Sequence, residues 1–190
     1  VPLLLGLAGP SGSGKTYSAL RLATGIARVA GGDIVVIDTE NRRAQHYADH
    51  FAFQHIDFAP PYGPLDYLAA IQTAERTKPA CIVIDSLSHE HDGEGGTLDS
   101  VTAELDRLAG ADTSLQQKLA AAAWRKPKAA RRALLSGLLR LETHVIVCIR
   151  ANERTRMARE ALAVEPVEMG LTPIAAPEFL FELTASALLK

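Results

Sequence analysis

Cysteine is nearly absent: Cys81 and Cys148 are the only two in 190 residues. Two thiols cannot build a disulfide scaffold. Both lie in apolar runs, "ACIVID" and "HVIVCIR", and read as small buried core residues in a reducing cytoplasm. A disulfide between neighbouring strands is the less favoured alternative. Charge of one sign is also missing. The formal net charge is −2, so no global basic field attracts nucleic acid, and any such contact must come from local patches. No apolar run approaches the ~18 residues that span a bilayer, which excludes a membrane protein of the helical kind. The opening "VPLLLGLAG" has no basic leader and reads as a core strand, not a signal peptide. The chain starts at Val1, as expected of a processed or trimmed form of a longer protein. Repeats and linkers are lacking too, so residues 1–190 read as a single domain with a sizeable core.

What is present begins at Gly9. The segment "GPSGSGKT" satisfies G-x-x-x-x-G-K-[ST] through Gly9, Gly14, Lys15 and Thr16. Glycines let successive backbone N–H groups fold around an anion, and a following helix adds the positive end of its dipole. Lys15 is placed to reach the β- and γ-phosphates, and the Thr16 hydroxyl to ligate Mg²⁺. The plain alternative is a flexible Gly/Ser turn. An apolar strand before the segment and an amphipathic helix after it favour the phosphate loop. The nucleotide-holding residues are therefore Gly9, Pro10, Ser11, Gly12, Ser13, Gly14, Lys15 and Thr16, with Tyr17 beside them.

Apolar runs and helical patterns alternate along the chain. Strands are expected at 3–8, 34–38, 80–85 and 144–150, a weaker one at 53–58, and a late one at 178–189. Helices are expected at 14–30 and 65–77, with a long helical region between "DGEGGTLDS" and residue 142. The segment 151–170 is charged, lacks a clear period and reads as a mobile loop. Continuous apolar strands between helices argue for an α/β fold, a mostly parallel sheet with helices on both faces. Ligands bind beyond the carboxyl ends of strands in such sheets. Those ends carry Asp38, Thr39 and Glu40 after "VVI", Asp85 and Ser86 after "CIVI", and Arg150 after "HVIVCI".

Asp85 is the expected carboxylate partner of the phosphate loop, holding Mg²⁺ opposite Thr16. The alternative is a strand-end Asp that caps a turn. Hydrolysis also needs a group to orient or deprotonate water. Glu40 stands where it can do so, although on spacing alone a solvated loop glutamate is as good a reading.

The combination "GPSGSGKT", "VVIDTE" and "CIVIDS" resembles the RecA-like ATPases. That resemblance implies a RecA-like phosphate-loop NTPase core, with Glu40 activating water, Lys15 on the phosphates and Asp85 on the metal; ATP and Mg²⁺ are the implied cofactors. The texture "DTENRRAQHYAD" and "IDSLSHEHDGEGGTLD" is similar to small phage and prophage ATPases of that type. These are implied to act in DNA recombination beside single-strand annealing or single-strand-binding proteins. Single-stranded DNA, a homo-oligomeric ring or filament, and a host-cytoplasm location follow as expectations. One departure stands out. RecA-type recombinases carry a glutamine after the penultimate core strand, whereas this chain reads "CIRANE". Arg150 or Asn152 is left to sense the γ-phosphate, and an arginine acting across a subunit boundary is a further option.

Other groups were weighed in the same way. His89 and His91 would share one side of an extended segment, but no strong zinc pattern completes a site. A loop near the γ-phosphate or a subunit contact is preferred there, with Glu90 a second carboxylate. Basic residues cluster at Arg125, Lys126, Lys128, Arg131 and Arg132 beside Trp124, and at Arg150, Arg154, Arg156 and Arg159. Such clusters bind phosphate backbones, and an aromatic stacks on an unpaired base; a solvated face is the commoner fate of charge runs. The second cluster falls where RecA-like proteins place a DNA-binding loop, which marks Arg154, Arg156 and Arg159 for DNA contact. Two other functions compete with a DNA-linked ATPase: a small-molecule or nucleotide kinase, and a nucleotide-dependent switch for a protein partner.

Overall fold

The computed structural model describes residues 1–160 and 163–190, with side chains described outside 154–169. Six strands run parallel: β1 (Leu4–Gly9), β2 (Ile34–Asp38), β3 (Gln54–Asp57), β4 (Cys81–Asp85), β5 (His144–Glu160) and β7 (Ala185–Leu188). Their order across the sheet is β3-β2-β4-β5-β1-β7, and β6 (Ala163–Pro173) pairs antiparallel with the far half of β5. This is the mostly parallel α/β architecture expected of a RecA-like phosphate-loop core.

The apolar runs explain why the strands form where they do. Every residue of β2 and β4 is buried. Alternate side chains in a strand leave on opposite faces, so each run feeds two cores. Val35, Ile37, Ile82, Ile84, Val145 and Val147 meet Tyr67, Ile71, Leu134, Leu138 and Phe179 on one face. These partners come from α2 (Pro64–Glu75), α6 (Arg125–Leu138) and α7 (Pro177–Phe181). Ile34, Val36, Cys81, Val83, Ile146 and Cys148 meet Ala19, Leu20 and Ala23 of α1 (Lys15–Ala30) on the other. Each such aliphatic side chain contributes about 1.5–3 kcal/mol on full burial. Gly31 and Gly32 end α1 at φ 73° and 109°, a region that only glycine enters without strain.

Three further helices, α3 (Ser88–Asp92), α4 (Thr97–Ala109) and α5 (Thr113–Ala123), lie between β4 and α6. Asp112 caps α5 by accepting the Leu115 N–H at 3.0 Å. Pro127 sits in the first turn of α6, where its missing N–H costs nothing. No helix among the described residues is long and apolar enough to cross a membrane.

Three expectations are corrected. Residues 151–160 and 163–170 are strand and not loop: β5 continues through Glu160 and pairs with β6, from Ala151↔Pro173 to Glu160↔Ala163. The segment is charged and lacks apolar alternation, so its strands leave no hydrophobic signal in the sequence. The run at 178–189 divides into α7 and a short β7, because Pro177 presets the first turn of a helix. Finally, the segment bearing His89 and His91 is helical, not extended, and the two rings take different partners. Among the described residues, no group of three or more His, Cys, Asp or Glu side chains is arranged to hold a metal.

Candidate active site

The register gathers the strand ends on one edge. Asp38 of β2 lies opposite Asp85 of β4, and Gly9 of β1 lies opposite Arg150 of β5. A cleft of about 650 Å³ opens over this edge. Ser11, Gly12, Gly14, Lys15 and Thr16 form its floor, Glu40 and Asp85 one wall, and Arg150, Ala151 and Asn152 another. The short 3₁₀ turn Arg43–Tyr47 closes a further side with Arg43, His46 and Tyr47. No motif in the sequence marks Arg43 or Tyr47; they reach the cleft through this 3₁₀ turn.

The loop has the shape that an anion needs. Gly12 and Gly14 have φ of 82° and 83°, and a Cβ added to either would meet nothing within 4 Å. Gly9 is required for another reason: a Cβ there would lie 2.5 Å from Ser13 Oγ and 2.6 Å from the Leu189 carbonyl. Lys15 Nζ donates to the carbonyls of Gly9 (2.9 Å) and Pro10 (2.7 Å), which folds it along the loop. Ser13 Oγ is buried without a partner. Tyr17 does not line the cleft; its ring packs against Tyr47 and Phe51, at 6.1 and 5.3 Å between centroids.

Thr16 and Asp85 meet directly, the hydroxyl donating to Oδ2 at 2.5 Å. Burial pushes the Asp85 carboxyl up to about 6, against the opposing hydrogen bond from Thr16. Two neutral or anionic oxygens side by side on a buried wall suit a hard cation such as Mg²⁺. Thr16 and Asp85 are the residues that would hold it.

Glu40 follows β2 by two residues and is turned back by its own strand: its N–H donates to Asp38 Oδ1 at 2.7 Å. Asp38 also accepts the Ala44 N–H at 2.9 Å, fixing the start of the 3₁₀ turn. The Glu40 carboxylate is doubly held by Arg150, Nε to Oε1 at 2.8 Å and Nη2 to Oε2 at 2.6 Å, and accepts the Ser86 hydroxyl at 3.0 Å. Burial alone would raise its pKa, but the Arg150 guanidinium and the Ser86 hydroxyl hold it below the usual glutamate range. Beside it, burial and then the Arg150 charge lower the His89 pKa, which keeps that ring neutral.

Lys15, Thr16, Glu40, Asp85, Arg150 and Asn152 therefore share one cleft. Arg154, Arg156 and Arg159, marked for DNA, have side chains outside the described residues; their backbone belongs to β5. The first basic cluster is partly spent on structure. Arg131 is buried against Glu90 at 3.1 Å, and Lys126 pairs with Glu104 at 3.1 Å. The residue that sequence reasoning placed least well is His89, whose Nδ1 lies 2.7 Å from Thr39 Oγ1, one residue before Glu40.

No curated protein sequence matches the chain. Among solved structures the chain is similar to a KaiC-like protein from the hyperthermophilic archaeon Pyrococcus horikoshii OT3. That likeness has 16% identity and a TM-score of 0.43, over 90% of this chain and 88% of that one. The family profile of the AAA domain matches residues 2–171, so the chain, with its phosphate loop and strand-end carboxylates, belongs to the AAA domain family of nucleotide-binding ATPases.

Proposed function

We propose that this protein is a Mg²⁺-dependent ATPase that works as an oligomer on single-stranded DNA in recombination, replication or repair. The observation that carries the hydrolytic part is the meeting of Glu40, the Thr16–Asp85 pair and Lys15 around one cleft. Loop amides and Lys15 bind the phosphates, and Thr16 and Asp85 hold Mg²⁺. Bound Mg²⁺ neutralises charge that develops on the phosphate oxygens. Glu40 orients the attacking water and accepts its proton. Arg150 is 41% exposed at the cleft wall. Its guanidinium can leave Glu40 for a γ-phosphate, which frees the carboxylate for water. Arg43, His46 and Tyr47 offer flat surfaces for the base.

The DNA part rests on connectivity. Arg150 and the hairpin strand with Arg154, Arg156 and Arg159 belong to the same β5, so a change at the nucleotide is passed straight into the hairpin. An annealing or single-strand-binding protein is the partner chemistry that such a role implies.

The test is ATP hydrolysis by the purified protein, with and without single-stranded DNA, beside Glu40→Gln. DNA-stimulated hydrolysis that Glu40→Gln abolishes, with ATP still bound, is expected. Hydrolysis indifferent to DNA removes the DNA part. Phosphate transfer to a small acceptor in place of hydrolysis makes the protein a kinase.

A further inference from the structure

The water-activating carboxylate does not stand on its own strand alone. Thr39, the residue before Glu40, has its backbone N–H on the Asp85 carbonyl at 2.7 Å. Its hydroxyl accepts the Ser86 N–H at 2.8 Å. The same oxygen lies 2.7 Å from His89 Nδ1 and 3.2 Å from the Ser86 carbonyl. A hydroxyl has one proton and two lone pairs: the proton goes to the Ser86 carbonyl, and the lone pairs accept from the Ser86 N–H and from His89 Nδ1–H. All three contacts are met by the His89 tautomer with its proton on Nδ1.

His89 is itself held from the far side. Its ring stacks on Tyr62, 4.9 Å between centroids and 21° between planes. Two glycines permit this stack. A Cβ on Gly93 would come within 2.8 Å of the Tyr62 ring, and one on Gly96 within 2.7 Å of the His89 carbonyl. The next residue, Glu90, is buried and anchored by Thr97 Oγ1 at 2.7 Å and Arg131 Nε at 3.1 Å. His91 accepts from the same arginine at 3.1 Å. On the other flank, Ser88 Oγ accepts the Arg150 N–H at 2.8 Å. The single turn of α3 thus grips the strand tip bearing Glu40 and the strand tip bearing Arg150 at once.

We infer that His89 is a positioning residue: through the Thr39 hydroxyl it fixes the tip of β2, and α3 as a whole sets the spacing between Glu40 and Arg150. This rests on the hydrolytic reading of the site. Nothing in the motif assigns it, because in sequence the histidine stands 49 positions from Glu40. Small misplacements of a catalytic group cost on the order of 10²-fold in rate, and the Thr39–His89 bond is what resists one here.

The experiment compares wild type with His89→Ala, His89→Asn, Thr39→Val and the double variant His89→Ala/Thr39→Val, measuring kcat, KM and affinity for a non-hydrolysable ATP analogue. His89→Ala is expected to lower kcat by about 10- to 100-fold and to leave analogue affinity within about threefold. His89→Asn, whose amide can meet the Thr39 hydroxyl, restores most of the rate. The double variant is no slower than the slower single one, since both cut the same link. A His89→Ala rate within about twofold of wild type, or equal losses of rate and affinity, overturns the inference. If wild type binds but does not hydrolyse ATP, the hydrolytic reading fails instead. ¹⁵N spectra of the histidine rings then decide the positioning link. A protonated His89 Nδ1 that shifts in Thr39→Val supports it; one indifferent to Thr39→Val overturns it.

Discussion

Arg150 and Glu40 form a two-pronged pair, 110 residues apart in sequence, across the mouth of the nucleotide cleft. Lys15 lies on loop carbonyls, Thr16 on Asp85, and Glu40 on Arg150. Each group that would act on a nucleotide has an internal partner that the nucleotide must displace.

Arg150→Ala leaves Glu40 half-buried with its main positive neighbour gone, so burial then raises the carboxyl. The wild-type carboxyl sits below its ordinary value. The stability this contributes is present above the unfolded glutamate pKa and is lost as pH falls through the folded one. Denaturant titrations should show the variant weaker by roughly 1 kcal/mol near pH 7, a modest figure because the arginine is partly exposed. The gap should close towards acid pH. Hydrolysis should fall by about 10³-fold or more, as for loss of a phosphate-contacting arginine.

Asp85 titrates at about 6. A proton and a divalent cation compete for the same carboxylate. Mg²⁺-dependent nucleotide binding, followed by calorimetry, should hold steady above that value and weaken as pH falls through it. Asp85→Asn should bind weakly at every pH, with the acid-side dependence gone.

The Arg131–Glu90 pair is buried on both sides, 6% and 1% exposed. Removing one partner strands a charge, so Arg131→Ala or Glu90→Ala should destabilise by about 3–5 kcal/mol. Arg131→Met with Glu90→Leu should recover much of that loss, since paired apolar replacements are often near neutral. Thermal melts of the three variants separate these outcomes.

Cys81 and Cys148 are free and buried, and burial pushes the Cys81 thiol up to about 12. A thiolate-specific reagent at pH 8 should leave both unmodified in the folded protein and label both in denaturant. They do not sit opposite one another: Cys81 pairs in register with His144, and Cys148 with Asp85. No cross-link between them is expected on oxidation.

The sequence made β1, β2 and β4 readable to within about a residue, because a strand covered on both faces is a continuous apolar run with an abrupt polar stop. The same stops exposed Glu40, Asp85 and Arg150. The pairing of β5 with β6 was not readable, since the charged sequence over 151–170 shows no apolar alternation. The run "EFLFEL" is apolar enough for either state, and only Pro177 pointed to a helix. His89 was noted but given the wrong neighbours. Its segment was read as extended, which put it beside His91 and not over Thr39.

The placement of β1 has a consequence for synthesis. This strand carries the phosphate loop and is made before its sheet neighbours, β5 and β7: Leu4 lies beside Val145, and Leu5 beside Ala185. Long-range parallel pairing of this sort is slow to form. The loop therefore lacks its sheet neighbours until β5 has been made. Nascent chains stalled before β5 should not retain an ATP analogue, and nucleotide capture becomes a report that translation has reached the far edge of the sheet.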